Sequence, residues 1–70
     1  MEVLVFKTDI HLKKDVKMVS PVLEKCKDIL FWSVDTMDVD KVLRVVAVSN
    51  IKSKVEQMIS EAGYKCLELE

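Results

Sequence analysis

The feature that most restricts the fold of this chain is a pair of helix-like segments, each lying between two strand-like segments. Apolar residues recur at spacings of three and four from Leu12 to Lys27 and again from Ile51 to Ala62, which is the period of a helix with one buried face. The remaining segments are rich in β-branched and aromatic residues or alternate between apolar and polar residues. These predicted strands are residues 2–8, 29–35, 43–49 and 65–70. The predicted element order is therefore β-α-β-β-α-β.

This order predicts the α+β class and, within it, the ferredoxin-like two-layer sandwich, in which two helices cover one face of a four-stranded antiparallel sheet. Right-handed crossovers favour the strand order 4-1-3-2. A chain of 70 residues buries only about 60% of the surface that its unfolded form exposes, so its core must be dense. Half of the residues are hydrophobic, and no linker or low-complexity stretch interrupts them. We therefore predict a single domain, residues 1–70.

Capping residues indicate where the helices end. Ser49 or Asn50 can cap the second helix, and Gly63 stands where a left-handed residue typically terminates one. Pro21 interrupts the pattern of the first helix, where a proline removes a backbone donor and clashes with the preceding turn. Two arrangements remain open: the helix bends at Pro21, or Ser20 caps a second segment that begins there.

Charge and composition exclude several functional classes. Eleven basic and twelve acidic residues leave a net charge of -1, so the chain has no global field for nucleic acid. No apolar run is long enough to span a bilayer, and the start of the chain lacks the features of a signal peptide. The two cysteines, Cys26 and Cys66, are too far apart in sequence to form a C-x-x-C pair, and we expect reduced thiols. The sequence thus predicts a cytoplasmic domain that binds neither nucleic acid nor membrane.

No catalytic constellation is found in the sequence. There is no Ser/His/Asp, Cys/His or paired-carboxylate arrangement, and the first loop lacks a phosphate-binding Gly-rich pattern. The strand LRVVAVS also lacks the aromatic residues with which an RNA-recognition domain of the same topology stacks bases. We therefore predict neither an enzyme nor a bound cofactor.

Three stretches resemble the heavy-metal-associated family of copper chaperones and metal-pump domains. They are LFWSVDT, the apolar pattern of the second helix, and AGYKCLEL after it. In that family the first loop carries the motif Met-x-Cys-x-x-Cys, which binds the metal. Counting back from Val34 and Asp35 places this motif on Ile10, His11, Leu12, Lys13, Lys14 and Asp15. The resemblance implies the ferredoxin-like fold for nearly the whole chain.

The motif itself is degenerate. Ile10 can replace the buried methionine, but Leu12 and Asp15 stand where the two thiolates belong. A soft ion such as Cu(I) prefers sulfur ligands, and Lys13 and Lys14 add positive charge around any cation there. We therefore predict no metal site of the family's kind. The alternative is a copper or zinc protein with non-standard ligands, drawn from His11, Asp15, Cys66, Met1 and Met37.

The lysines at the start of the first helix conflict with its macrodipole. Lys13, Lys14 and Lys17 could flank a site for a phosphate, a carboxylate or an acidic partner. Solvated lysines on an exposed turn are the simpler interpretation.

The alternation of the strands predicts which side chains face the helices. Trp32 should be buried there with Leu30 and Val34, and Cys26 should pack on the apolar face of the first helix. Cys66 alternates opposite Leu67 and Leu69, which predicts that it points to the helix-free side of the sheet. The sheet would then separate the two cysteines and prevent a disulfide.

The first and third strands are apolar on both alternations, so one apolar set must coat the face of the sheet that the helices leave open. A contiguous apolar patch there indicates a partner. We place the interaction face on Leu4, Phe6, Leu43 and Val45. The predicted function is a non-catalytic binding module that acts through contacts with a protein partner or through self-association.

Overall fold

The computed structural model describes residues 1–69 and contains the six predicted elements in the predicted order. The strands form one antiparallel sheet in the order β2-β3-β1-β4, which is the predicted order 4-1-3-2 read from the other edge. The elements are β1 (Glu2–Thr8), α1 (Lys13–Glu24), β2 (Ile29–Asp35), β3 (Val42–Ala47), α2 (Lys52–Glu61) and β4 (Cys66–Glu68). The ferredoxin-like prediction is therefore confirmed.

The core lies between one face of the sheet and the two helices. Val19 and Leu23 of α1 and Val55 and Ile59 of α2 are fully buried against apolar side chains of β1 and β3. Burial of each such side chain stabilises the fold by about 1.5–3 kcal/mol. Within residues 1–69, no helix is long and apolar enough to cross a membrane.

The predicted interaction face is wrong, because its four residues belong to this core. Arg44 and Lys7 lie on the other alternation and are exposed, since burial of an unpaired charge is costly. The valines Val3 and Val46 share that open side. The residues that were wrongly placed on the interaction face are Leu4, which is 5% exposed, and Phe6, Leu43 and Val45, which are fully buried.

A β-bulge changes the facing of β2. The irregularity lies between Ile29 and Phe31, so Leu30 is an extra residue on this strand and is 57% exposed. The prediction that Leu30 packs against the helices is therefore wrong. Trp32 and Val34 lie beyond the bulge and pack against the core as predicted, although both remain partly exposed.

Helix α1 is continuous through Pro21 and ends at Glu24 rather than at Lys27. Pro21 is exposed and lies inside this single helix. The alternative in which a second segment begins at Pro21 is therefore not observed. After the helix, the backbone N–H of Cys26 donates to the carbonyl of Leu23 at 3.2 Å and turns the chain toward β2.

Helix α2 ends as predicted at a left-handed glycine. Gly63 has a φ of 96°, its N–H donates to the carbonyl of Ser60, and the Tyr64 N–H donates to the carbonyl of Ile59. These two bonds form a Schellman motif, which places Tyr64 immediately after the helix. At the other end, the Asn50 side chain accepts from the Lys52 N–H at 3.2 Å.

Strand β4 is shorter than predicted and faces the opposite way. Cys66 lies opposite the buried Thr8 and packs against the core, whereas Leu67 is 66% exposed on the open face. Of the six residues in the predicted strand, only Cys66–Glu68 form β4, so the alternation of Leu67 and Leu69 did not indicate the buried face. Cys26 lies just after α1 rather than on it, is 8% exposed, and borders a cavity with Val22 of α1 and Met58 of α2, so the sheet does not separate the two cysteines; both are free. The predicted strand included Glu70, which lies outside the described residues.

Candidate functional site

The first loop, residues 9–12, joins β1 to α1 and is anchored at its start by Thr8. The Thr8 hydroxyl donates to the carbonyl of Lys41 at 2.5 Å and accepts from the Ile10 N–H at 3.2 Å. Ile10, in the place of the motif's methionine, is fully buried. The loop therefore enters the core before it reaches the positions of the two motif cysteines.

Asp15 collects the hydrogen bonds that hold the rest of the loop. Its Oδ2 atom accepts from the backbone N–H of Leu12 at 3.1 Å and from that of His11 at 3.4 Å. Leu12 precedes the helix and has no side-chain acceptor, so the Asp15 carboxylate caps the first turn alone. The Oδ1 atom accepts from the hydroxyl of Tyr64 at 2.8 Å. The carboxylate is thus buried with hydrogen bonds on both oxygens.

These contacts shift the acidities of both partners. The hydrogen bond from Tyr64, with the N–H groups of Leu12 and His11, holds the pKa of Asp15 below its usual value. The same bond to an anionic acceptor, together with burial, raises the pKa of Tyr64. At neutral pH the pair is a carboxylate bonded to a neutral phenol.

A second contact ties the loop to the segment before β4. The Asp9 Oδ1 atom accepts from the backbone N–H of Lys65 at 2.8 Å. The Nδ1 atom of His11 lies 3.1 Å from the Asp9 carbonyl and 3.6 Å from Asp15 Oδ2. Through Tyr64 and Lys65, the loop is fastened at two points to the α2–β4 connection.

The donor set does not fit a soft metal ion. Leu12 supplies no ligand, and the Asp15 oxygens are hard donors that already accept hydrogen bonds. Burial, with the nearby charge of Glu56, raises the pKa of Cys66 to about 12, so this residue is a thiol rather than a thiolate. Within residues 1–69, no three His, Cys, Asp or Glu side chains converge as a metal site requires. The side chains of Met1 and Met37, the other candidate ligands, are exposed on the surface.

The lysines in the first turns of α1 point outward. Lys13, Lys14 and Lys17 are exposed, and none of the carboxylates in the described part of the chain lies within 4.0 Å of their ammonium groups. Beside them a shallow cavity of ≈ 360 Å³ separates the start of α1 from the end of β2. It is lined by His11, Lys13, Val16, Lys17, Val34 and Thr36.

The open face of the sheet carries exposed apolar residues from three strands. Val3, Phe31 and Leu67 are each more than 60% exposed, and Val46 lies between Val3 and Phe31 in the sheet. Arg44 interrupts this surface on β3. We call Val3, Phe31 and Val46 the open-face patch. It lies at the end of the sheet remote from the first loop.

Solved metal-binding domains share this structure. The N-terminal domain of ZntA in its Zn(II) form matches with a TM-score of 0.81 at 17% sequence identity, covering 97% of this chain and 92% of that one. The Cu(I)-loaded first domain of the human copper chaperone for SOD1 matches with a TM-score of 0.78 at 15% identity, covering 94% and 89%. The Atx1–Cu(I)–Ccc2a complex contains a match with a TM-score of 0.82 at 11% identity, covering 100% and 97%. No protein-family model and no curated protein matches the sequence.

The resemblance to heavy-metal-associated domains is therefore confirmed at the level of the fold. Identities of 11–17% over nearly the whole chain show a shared backbone arrangement, whereas function depends on the residues placed upon it. In this chain those residues are Leu12 and Asp15, with the Tyr64 hydroxyl bonded to the latter.

Proposed function

We propose that this chain is a non-catalytic binding module with a heavy-metal-associated-like fold, which acts through protein contacts and carries no metal on its first loop. The observation that supports this most strongly is the state of Asp15. A carboxylate with hydrogen bonds on both oxygens stands in the place of a thiolate, and its contacts close the loop without an ion.

Two further observations support the absence of a Cu(I) site. The exposed lysines Lys13 and Lys14 raise the local positive charge, which opposes the approach of a cation. The high pKa of Cys66 makes the release of its proton to a metal unfavourable near neutral pH. The alternative with non-standard ligands has no observation in its favour among residues 1–69, because His11, Asp15 and Cys66 belong to no cluster of three ligands.

The protein-contact part of the proposal draws on the open-face patch. Exposure of 66% at Val3 and 62% at Phe31 leaves apolar area on a flat sheet surface, as partner-binding surfaces often do. Protein contact is also known for this fold, since Atx1 and Ccc2a form a complex. The proposed setting is the cytoplasm, where reduced thiols such as Cys26 and Cys66 persist.

Competition for Cu(I) tests the metal part of the proposal. The reduced protein is mixed with Cu(I) and a chromogenic Cu(I) chelator, and we expect the chelator to keep the metal. Stoichiometric retention of copper by the protein would overturn the proposal. Loss of that retention in Cys66→Ser would then identify a relocated site.

Affinity capture from native extract tests the protein-contact part. We expect Phe31→Lys to lose the proteins that the wild type retains, because a lysine there puts a charge in place of the largest apolar side chain of the open-face patch. Met18→Lys is the matched control, since Met18 is 60% exposed but lies on α1, across the sheet. Equal capture by the wild type and Phe31→Lys would rule out the open-face patch as the binding surface.

A further inference from the structure

Charges of opposite sign are segregated in two consecutive segments of the chain. Residues 11–27 contain five lysines and two carboxylates, whereas residues 28–40 contain four aspartates and no basic residue. The chain as a whole is nearly neutral, so this separation creates a local dipole rather than a net field. It is independent of the open-face patch described above.

The two segments meet at one end of the molecule. The cavity beside α1 is lined by Lys13 and Lys17 on one side and by Val34 and Thr36 of the β2–β3 hairpin on the other. We call Lys13, Lys14 and Lys17 the basic patch, and Asp35 and Asp38 the acidic patch. In the described residues 1–69, neither patch is neutralised, since no ion pair within 4.0 Å involves any of these five residues.

Apolar side chains next to both patches in the sequence are exposed to solvent. Met37 and Val39, at the tip of the hairpin, are 92% and 90% exposed, and Leu12, at the start of α1, is 44% exposed. Hydrogen bonds hold the turn that carries Met37 and Val39. The Asp35 carboxylate accepts from the N–H groups of Met37 and Asp38, and the Thr8 N–H donates to the Asp40 carbonyl.

We propose that this end of the molecule binds a second copy of the same chain about a two-fold axis, with the basic patch of each copy on the acidic patch of the other. A partner with a single sign of charge would satisfy one patch and repel the other, whereas a second copy satisfies both at once. The exposed Leu12, Met37 and Val39 then meet near the axis and lose contact with water. This contact goes beyond the protein-contact function proposed above, because it uses a different surface from the open-face patch.

The contact is small and charged, so it belongs to the weak, salt-sensitive class of interfaces. We expect a monomer–dimer equilibrium at low ionic strength that weakens at least about tenfold when the salt is raised to about 0.5 M, because screening shortens the reach of exposed charges. Sedimentation velocity over a range of protein and salt concentrations measures it. A wild type that stays monomeric at low salt and millimolar concentration would overturn the proposal.

Two complementary variants test the arrangement. Lys13→Glu with Lys17→Glu makes both patches acidic, and Asp35→Lys with Asp38→Lys makes both basic, so each variant alone should be monomeric. An equimolar mixture should dimerise again, because each reversed patch then faces its complement. Failure of the mixture to associate, with both variants folded by circular dichroism, would contradict the two-fold arrangement.

Two controls separate this contact from other effects. Asp35→Asn with Asp38→Asn keeps an acceptor oxygen at each position for the hydrogen bonds of the turn and removes only the charges. This variant should also be monomeric, even if the lysine variant fails to fold. Lys25→Glu with Lys27→Glu changes the net charge by as much as Lys13→Glu with Lys17→Glu does, but just beyond the other end of α1. It should leave dimerisation unchanged. Equal loss in this control would overturn the proposal. If dimerisation fails but Phe31→Lys still abolishes partner capture, the proposed function stands and only this inference fails.

Discussion

The hydroxyl of Tyr64 donates a 2.8 Å hydrogen bond to the carboxylate of Asp15, although the two residues lie 49 positions apart in the chain. The bond joins the first turn of α1 to the segment that follows α2. Asp15 also caps that turn through the N–H of Leu12 at 3.1 Å. One buried carboxylate therefore closes the loop whose counterpart in heavy-metal-associated domains carries a Met-x-Cys-x-x-Cys motif.

The Asp15–Tyr64 bond should make stability depend on pH at the acid end. The pKa of Asp15 is held below its ordinary value of 3.8, so the unfolded chain takes up this proton at a higher pH than the folded one. The stabilisation is complete above that ordinary value and is lost as the pH falls through the folded pKa. We expect the Tm of the wild type to fall in this window and that of Tyr64→Phe to fall less. Thermal unfolding followed by circular dichroism checks this.

The same bond predicts an effect of opposite sign at the alkaline end. The pKa of Tyr64 is raised above 10.0, so its stabilisation is complete below that value and is lost as the pH rises through the folded pKa. Asp15→Asn removes the charged acceptor and should shrink this loss. Identical pH dependence of Tm in the wild type, Tyr64→Phe and Asp15→Asn would show that the bond does not form in solution.

Neighbouring aromatic residues on β2 should respond very differently to truncation. Trp32 packs against the core, so Trp32→Ala should lower the free energy of unfolding by about 2–4 kcal/mol. Phe31 is 62% exposed on the other face, so Phe31→Ala should lower it by less than about 1 kcal/mol. Urea unfolding followed by circular dichroism measures both values. Equal losses would contradict the position of the bulge.

A lysine should distinguish the two faces of β1 in the same way. Phe6 is fully buried, and Phe6→Lys should unfold the domain because it places an unpaired charge in the core. Val3 is 66% exposed, and Val3→Lys should change the free energy of unfolding by no more than about 0.5 kcal/mol. The far-ultraviolet circular dichroism spectrum and the Tm of each variant give the result. A folded Phe6→Lys would reverse our assignment of the faces.

The order of elements and of strands could be predicted from the sequence because it depends on periodicity summed over many residues. The facing of β1 and β3 was predicted wrongly because both alternations are apolar, although the charges of Lys7 and Arg44 mark the exposed alternation of each strand in the sequence itself. Volume also favours the observed choice, because the larger Leu4 and Phe6 fill the core while the smaller Val3 faces outward.

The sequence also did not predict local irregularities of the strands or hydrogen bonds between distant residues. The bulge at Leu30 inserts a single residue, and one residue is enough to reverse the facing of what precedes it. The degenerate motif was visible because resemblance supplied its position. The hydrogen bonds of Asp15 with Tyr64 and of Asp9 with Lys65 could not be predicted. The partners are separated by 49 and by 56 positions, and no pattern along the chain links positions so far apart.

Cys66 should react slowly with thiol reagents in the folded protein. Burial, with the charge of Glu56, raises its pKa to about 12, and only the thiolate is nucleophilic. We expect its reaction with Ellman's reagent at about pH 8 to be slower than that of the urea-unfolded chain by a factor on the order of 10³. Cys26→Ser isolates this signal. Equal rates in the folded and unfolded states would show that Cys66 is not held as the structure describes.

Restoration of the two motif cysteines should create a Cu(I) site. Ile10 is already buried, and residues 12 and 15 lie at the end of the loop and in the first turn of α1, so Leu12→Cys with Asp15→Cys places two thiolates where the motif has them. We expect this double variant to retain one Cu(I) against a chelator that removes the metal from the wild type. Because it loses the Tyr64 bond, its folding is checked first by circular dichroism.

The control for this experiment has the same number of new thiols in the wrong places. Lys13→Cys with Lys14→Cys also removes two positive charges, but adjacent residues of a helix do not face one another, so their sulfur atoms should not converge on one ion. We expect it to bind Cu(I) much more weakly than the motif variant. Equal retention by both variants would mean that any pair of thiols suffices, and no retention by a folded motif variant would mean that the loop backbone no longer has the geometry of a metal site. Only retention specific to positions 12 and 15 supports the view that Leu12 and Asp15 alone separate this loop from a functional one.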